Sequence, residues 1–306
     1  MHPVSVRFCC VTDLPEINFF AIPLKEKENW SLEIRPKANL FDLKFKEFWQ
    51  YRDLITLFVR RELVPTYKQT ILGPLWFILQ PLLTTLIYSL IFGAIARIPI
   101  GGMPQIVFYL PGIVLWNFFN SSFLKCSSTF ISNAPIFGKV YFPRLVLPVS
   151  GMLASLVNFF IQFALFLIFF LYYYLFSDYQ LHPNWHIALL PVLILTVAFY
   201  SLGLGMMISA FTTRYRDLTH FLAFGTQLLM YATPIIYPMA IVPDKFKWIN
   251  SINPLSPVFE GFRQSFLGTG SFQTQNLAIS FGLGILVFFV GLILFNKAER
   301  TSIDTV

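Results

Sequence analysis

Four residues in an apolar run, Trp76, Gln80, Thr84 and Tyr88, step by four and so share one stripe of a helix. The pattern recurs in Tyr109, Trp116, Asn117, Asn120 and Ser121, and again in Gln227 and Tyr231 with Tyr237 close behind. Each set combines aromatic rings with amide and hydroxyl groups and carries no fixed charge. Carbohydrate suits such a wall: its C–H faces stack on rings, and its hydroxyls are satisfied by neutral hydrogen-bonding groups. Packing between membrane helices uses the same residue types, because Asn, Gln, Ser and Thr bond across spans. For any single residue both readings stand; the recurrence of the stripe in three segments favours a pathway.

What the apolar segments lack narrows the chemistry further. Their central parts contain no Asp, Glu, Lys or Arg. Ion-coupled carriers and proton pumps need such groups inside the bilayer, so energy for active transport has to come from outside it. A phosphate-cradling G-x-x-x-x-G-K-[ST] is also missing. If ATP drives the protein, a separate subunit binds the nucleotide. The polar segments on one side offer only Asp178, Asp244 and Glu260, with no pairing suited to acid and base catalysis. His182 and His186 flank Pro183-Asn184-Trp185 in a short loop and read as interfacial surface. Cys9, Cys10 and Cys126 are too few for a disulfide framework or a zinc site. No catalytic residue and no metal site are expected.

The elements that position these stripes follow from composition. Of 306 residues, 56% are hydrophobic and only 12% charged, with a mean hydropathy of +0.65, which marks a polytopic membrane protein. Six spans are read: Leu72 to Ala96, Ile106 to Leu124 interrupted at Pro111-Gly112, Leu145 to Phe176 with a possible break near Pro148, Ile187 to Phe211, Leu218 to Tyr237, and Asn276 to Phe295. Before them, Phe41, Phe45, Phe48, Trp49, Ile55, Phe58 and Val59 fall at helical spacing among charged residues. This is an amphipathic helix in the membrane surface or one packed on protein, ended by Pro65. An even number of spans places both termini on one side, and that side holds 18 of the 22 Lys and Arg residues, which makes it cytoplasmic. The net charge of +7 thus follows the membrane and gives no reason to expect nucleic acid. The apolar patch Val4 to Val11 is interrupted by Asp13, Pro15 and Glu16, so it is read as part of a cytoplasmic extension.

The expected fold is therefore all-α and integral to the membrane, with six transmembrane helices per protomer, an N-terminal amphipathic interface helix and short outward-side helices. Its parts are an extension over 1–40, the interface helix over 41–66, a transmembrane domain over 67–300 and a tail over 301–306. No internal repeat is visible. Between the second and third spans lies a polar segment, Lys125 to Arg144, whose middle could form one short helix; between the fifth and sixth, Pro238 to Gln275 is punctuated by prolines and dips into the outer leaflet.

Three motifs resemble those of the membrane subunits of ABC exporters for bacterial polysaccharides (O-antigen, capsule and teichoic acid). They are Tyr67-Lys68-Gln69-Thr70-Ile71-Leu72-Gly73-Pro74-Leu75-Trp76 with Gln80-Pro81-Leu82, Asn133 with Lys139-Val140-Tyr141-Phe142-Pro143-Arg144, and Asn253-Pro254-Leu255-Ser256-Pro257 with Glu260 and Arg263. The resemblance covers about Phe41 to Arg300. It implies a homodimer in the bacterial inner membrane with two copies of an ABC ATPase subunit, which would bind ATP and magnesium, and a channel at the dimer axis. Asn133, Ala134, Pro135, Ile136, Phe137, Gly138 and Lys139 would form the coupling helix. Asp244 to Leu267 would form outward gate helices that include Trp248, Pro254, Phe259, Glu260 and Arg263. The implied substrate is a polyprenyl-diphosphate-linked glycan, for whose phosphates Arg60, Arg61 and Lys68 are candidate cations at the cytoplasmic entrance; a solvated or topogenic role accounts for them too. A drug or small-lipid exporter and an integral-membrane enzyme of lipid-linked sugars are the alternatives.

Overall fold

The computed structural model describes residues 49–68, 71–137, 142–177, 181–212, 215, 217–246, 248, 252–268, 270 and 272–303, without the side chains of 66, 67, 240 and 300–303. The extension over 1–40, the start of the expected interface helix, Gly138, Lys139 and the last three residues lie outside this set. Among the described residues there is no strand. Helix α1 is Arg52–Lys68. A 3-10 turn, Gly73–Leu75, leads into α2, Trp76–Tyr88, which ends in a π-helical stretch, Ser89–Ile95. Then follow α3, Gln105–Ser127, and two four-residue helices, α4, Thr129–Ser132, and α5, Ala134–Phe137. Helix α6 is Val146–Phe176, α7 is Leu190–Thr212 and α8 is Leu218–Ala232. The chain closes with α9, Ser256–Leu267, and α10, Thr274–Ile303.

Among the described residues five helical stretches are long and apolar enough to cross a membrane: Gly73–Ile95, Gln105–Ser127, Val146–Phe176, Trp185–Thr212 and Thr274–Glu299. The chain is a multi-pass membrane protein. The expected fifth span is shorter, because α8 has 15 residues, about 22 Å at 1.5 Å per residue. It stops at Ala232, not near Tyr237, since Pro234 cannot supply the amide that another turn requires.

The prolines elsewhere do less than the sequence suggests. α1 runs through Pro65 to Lys68, and α3 runs unbroken through Pro111 and Gly112. α3 keeps its course because neighbours hold it on every side: Val107 to Trp116 are all buried. Gly112 admits Ile235, whose Cγ2 would lie 3.1 Å from an added Cβ. Pro148 falls in the first turn of α6, where its missing N–H leaves no bond unmade. The expected helix from Asp244 opens as a 3-10 turn, Asp244–Phe246, and all of its later residues but Trp248 lie outside the described set.

α3 is the hub. Against α6 it forms a polar seam: Asn117 Nδ2 donates to Gln162 Oε1 at 3.1 Å, and the Ser121 and Ser155 hydroxyls are 2.9 Å apart. Such bonds hold spans together where burial from water gives no drive. α7 and α10 meet backbone to backbone at Gly203, where a Cβ would lie 2.7 Å from main-chain atoms of Val287 and Phe288, and at Gly291, where one would strike Gly203 itself. α1 lays Phe58, Leu54 and Ile55, with Tyr51 just before it, on Phe142 and on Val146 and Leu147 at the start of α6, while Leu57 and the preceding Trp49 remain exposed.

Candidate functional site

The expected pathway residues divide into two groups. On α2, Trp76 is 43% exposed and Gln80 is exposed, while Thr84 donates to the Gln80 carbonyl at 2.9 Å. At the far end of this stripe Tyr88 reaches α8, with its hydroxyl 3.6 Å from Met230 Sδ. Gln227 and Tyr231 are exposed on α8, and Tyr237 donates to the Tyr231 carbonyl at 3.3 Å. The stripes of α2 and α8 thus meet at Tyr88 in a weakly polar, aromatic surface, exposed at Trp76, Gln80, Gln227 and Tyr231 and half-buried at Thr84, Tyr88 and Tyr237. α2 has only Pro81 and Thr85 buried, so little of the chain itself covers this surface.

Tyr109 and Trp116, by contrast, lie inside the packed chain. Tyr109 is fully buried, and Trp116 packs on Phe119 and on Phe259 of α9, at ring-centroid distances of 5.2 and 6.3 Å. Their periodicity was real, but the face they occupy meets helices. Asn117 and Ser121 belong to the seam with α6. Asn120 is partly exposed, with a buried carbonyl oxygen that has no hydrogen-bond partner among the described residues.

The expected gate residues converge on a latch between α9 and the broken end of α8. Arg263, 4% exposed, donates to the carbonyls of Pro234 at 3.0 Å and Ile235 at 3.1 Å. It also pairs with Glu260 at 3.3 Å and lies 4.3 Å over the Phe108 ring. The lost turns of α8 leave carbonyls without helical donors, and a buried guanidinium supplies them. Asn253, which the sequence showed only as motif, completes the latch: its amide donates to Thr233 Oγ1 at 2.8 Å and its oxygen accepts from Leu255 N at 3.0 Å. The Pro254 carbonyl accepts a bond from Ser280 of α10. Trp248 stands apart, exposed.

At the opposite end, the cations expected to meet phosphate differ. Arg60 and Lys68 are exposed. Arg61 is engaged: it donates to Asn133 Oδ1 at 2.7 Å, lies 3.4 Å from Glu62 and sits 4.8 Å over Phe58. Glu62 also meets Lys125 at 3.7 Å. In the expected coupling helix, Ala134 and Pro135 are exposed and Ile136 is half-buried. Phe137 turns inward, beneath the Arg144 guanidinium at 4.7 Å. No cluster of His, Cys, Asp or Glu among the described residues could hold a metal.

Sequence reasoning missed Gln162, Asn158 and Ser155, whose spacing along α6 was the available signal for a polar seam. It also missed Phe130 and Phe295 and showed Phe142 only within a motif; no spacing connects the three.

Residues 53–267 match the ABC-2 type transporter family. The O-antigen export system permease protein RfbA of Klebsiella pneumoniae is 31% identical over 247 residues, covering 81% of this chain and 92% of that one. RfbA of Myxococcus xanthus is 31% identical over 223 residues, 72% of this chain and 83% of that one. The inner membrane transport permease YadH of Escherichia coli (strain K12) is 25% identical over 220 residues, 70% and 82% of the two chains. With its helical, multi-pass architecture and a match across most of its length, the chain belongs to the ABC-2 type transporters.

Proposed function

We propose that the chain is the permease subunit of an ATP-driven exporter that moves a polyprenyl-diphosphate-linked, O-antigen-like glycan across the bacterial inner membrane. It works as a homodimer with two copies of an ATPase subunit, which holds ATP and magnesium. Six spans, with α8 and the turn after it as the fifth, leave both termini in the cytoplasm. α1 lies in the cytoplasmic membrane surface, and α9 with its latch forms the outward gate.

The observation that carries this reading is the uncovered surface of α2 and α8. A two-fold axis beside it would bring two copies of Trp76, Gln80, Thr84, Tyr88, Gln227 and Tyr231 around one passage without extra chain. Rings and neutral amides would let a sugar polymer slide past, whereas fixed charges would bind it in place. Arg60 and Lys68 supply exposed charge for the diphosphate; Arg61 serves the protein. The relatives named O-antigen export permeases support glycan as cargo.

Deleting the gene tests the cargo. Lipid-linked glycan is expected to accumulate in the cytoplasmic leaflet while the surface loses it. Normal surface glycan together with lost drug resistance would refute the proposal and favour a drug exporter.

A further inference from the structure

Five phenylalanine rings run from α1 to α10 through the two short helices. Phe58 meets Phe142 at 5.6 Å, Phe142 meets Phe137 at 6.1 Å, Phe137 meets Phe130 at 5.9 Å, and Phe130 stacks on Phe295 at 4.7 Å. All but Phe137 are at most 5% exposed. Two arginines flank the row. Arg61 covers Phe58 and holds Asn133, while Arg144 lies over Phe137 and, at 5.9 Å, Phe130. Arg144 also donates to the Glu299 carbonyl at 3.3 Å and lies 3.9 Å from its carboxylate.

α4 and α5 have four residues each, too few to hold a helical shape unaided. Their form comes from what they pack on, and Phe130 and Phe137 pack on this row. A load applied to exposed Ala134 and Pro135 therefore passes into the rings. Closely packed rings cannot yield by small amounts, because the interior is dense and shifts between discrete arrangements.

We infer that this phenylalanine row, clamped by Arg61 and Arg144, transmits displacement of α5 to both the amphipathic helix α1 and the last span α10. Phe130 and Phe142 are its positioning residues, and they touch neither ATPase nor cargo. The inference rests on the proposed function, with α5 taken as the described part of the expected coupling helix, Asn133 to Lys139, on which the ATPase would push. Two consequences follow. The entrance beside Arg60 and the span farthest along the chain move in one event. And α1 responds to nucleotide even when no cargo is present.

The test uses the full chain with its ATPase, in native form and as Phe130→Leu, Phe142→Leu and the double variant. Thermal stability and co-purification with the ATPase establish folding and assembly. Glycan exported per ATP hydrolysed is expected to fall about tenfold in each single variant and about tenfold, not a hundredfold, in the double, because two breaks in one line act once. A multiplicative loss, or unchanged export in an assembled single variant, would overturn the inference. A fluorophore on Leu57→Cys, with Cys9 and Cys10 replaced by Ser, gives a readout free of cargo. Its nucleotide response is expected in the native complex and lost in both single variants; a response that survives in them would also overturn the row. Should Phe130→Leu fail to fold, Arg144→Lys is scored by the same two readouts, with the same outcomes for and against. A native complex that answers nucleotide at Leu57 but exports no glycan would sink the cargo assignment and leave the row standing.

Discussion

Two tryptophans of similar sequence context separate surface from interior. Trp76 is 43% exposed on the α2 stripe, whereas Trp116 is 4% exposed between Phe119 and Phe259. Trp76→Ala combined with Tyr231→Ala is expected to slow export severalfold while leaving the thermal midpoint of the purified chain near that of the native. Trp116→Ala is expected to cost about 3–5 kcal/mol of stability, the usual range for emptying a large aromatic site. Thermal unfolding in detergent alongside surface-glycan assays checks both. The reverse pattern would make Trp76 packing and Trp116 pathway. Periodicity alone could not have sorted them, because a spacing of four fixes which residues share a face and leaves open whether water, cargo or another helix meets it. The same holds for Arg61: its charge was legible, but its bond to Asn133, 72 positions away, was not.

At the scale of elements, the long apolar helices were legible because some twenty consecutive apolar residues have few other uses. The breaks were not. Proline removes one donor, and whether a helix then ends depends on what surrounds it. Pro111 lies in buried α3, which continues; Pro234 lies where Arg263 supplies the missing donors, and α8 ends at Ala232. The latch makes the joint between α8 and α9 depend on one buried cation. Arg263→Met removes the cation that faces the buried Glu260 carboxylate and uncaps two carbonyls, so it is expected to destabilise by about 3–5 kcal/mol. Arg263→Met with Glu260→Gln removes the buried negative charge as well and is expected to recover a good part of that loss. Thermal unfolding of the two variants decides; equal destabilisation would mean that the carbonyl caps, not the ion pair, hold the joint.

Across the whole molecule, the division of labour follows from where charge is absent. The five apolar stretches carry no buried ion pair at their centres, and the ionic contacts described lie at the two ends: Arg61, Glu62, Lys125, Arg144 and Glu299 at one, Glu260 and Arg263 at the other. Helices built this way have nothing with which to couple to an ion gradient. On the proposed function work enters at an end, and the end with exposed Ala134 and Pro135 on a four-residue helix is the one the ATPase would meet. The most direct measurement is transport of lipid-linked glycan by the purified chain in sealed vesicles, with its ATPase present or absent and with nucleotide or a proton gradient supplied. Movement only when both ATPase and hydrolysable ATP are present is the expected result. Uphill movement on the ion gradient, with no ATPase in the vesicle, would contradict it.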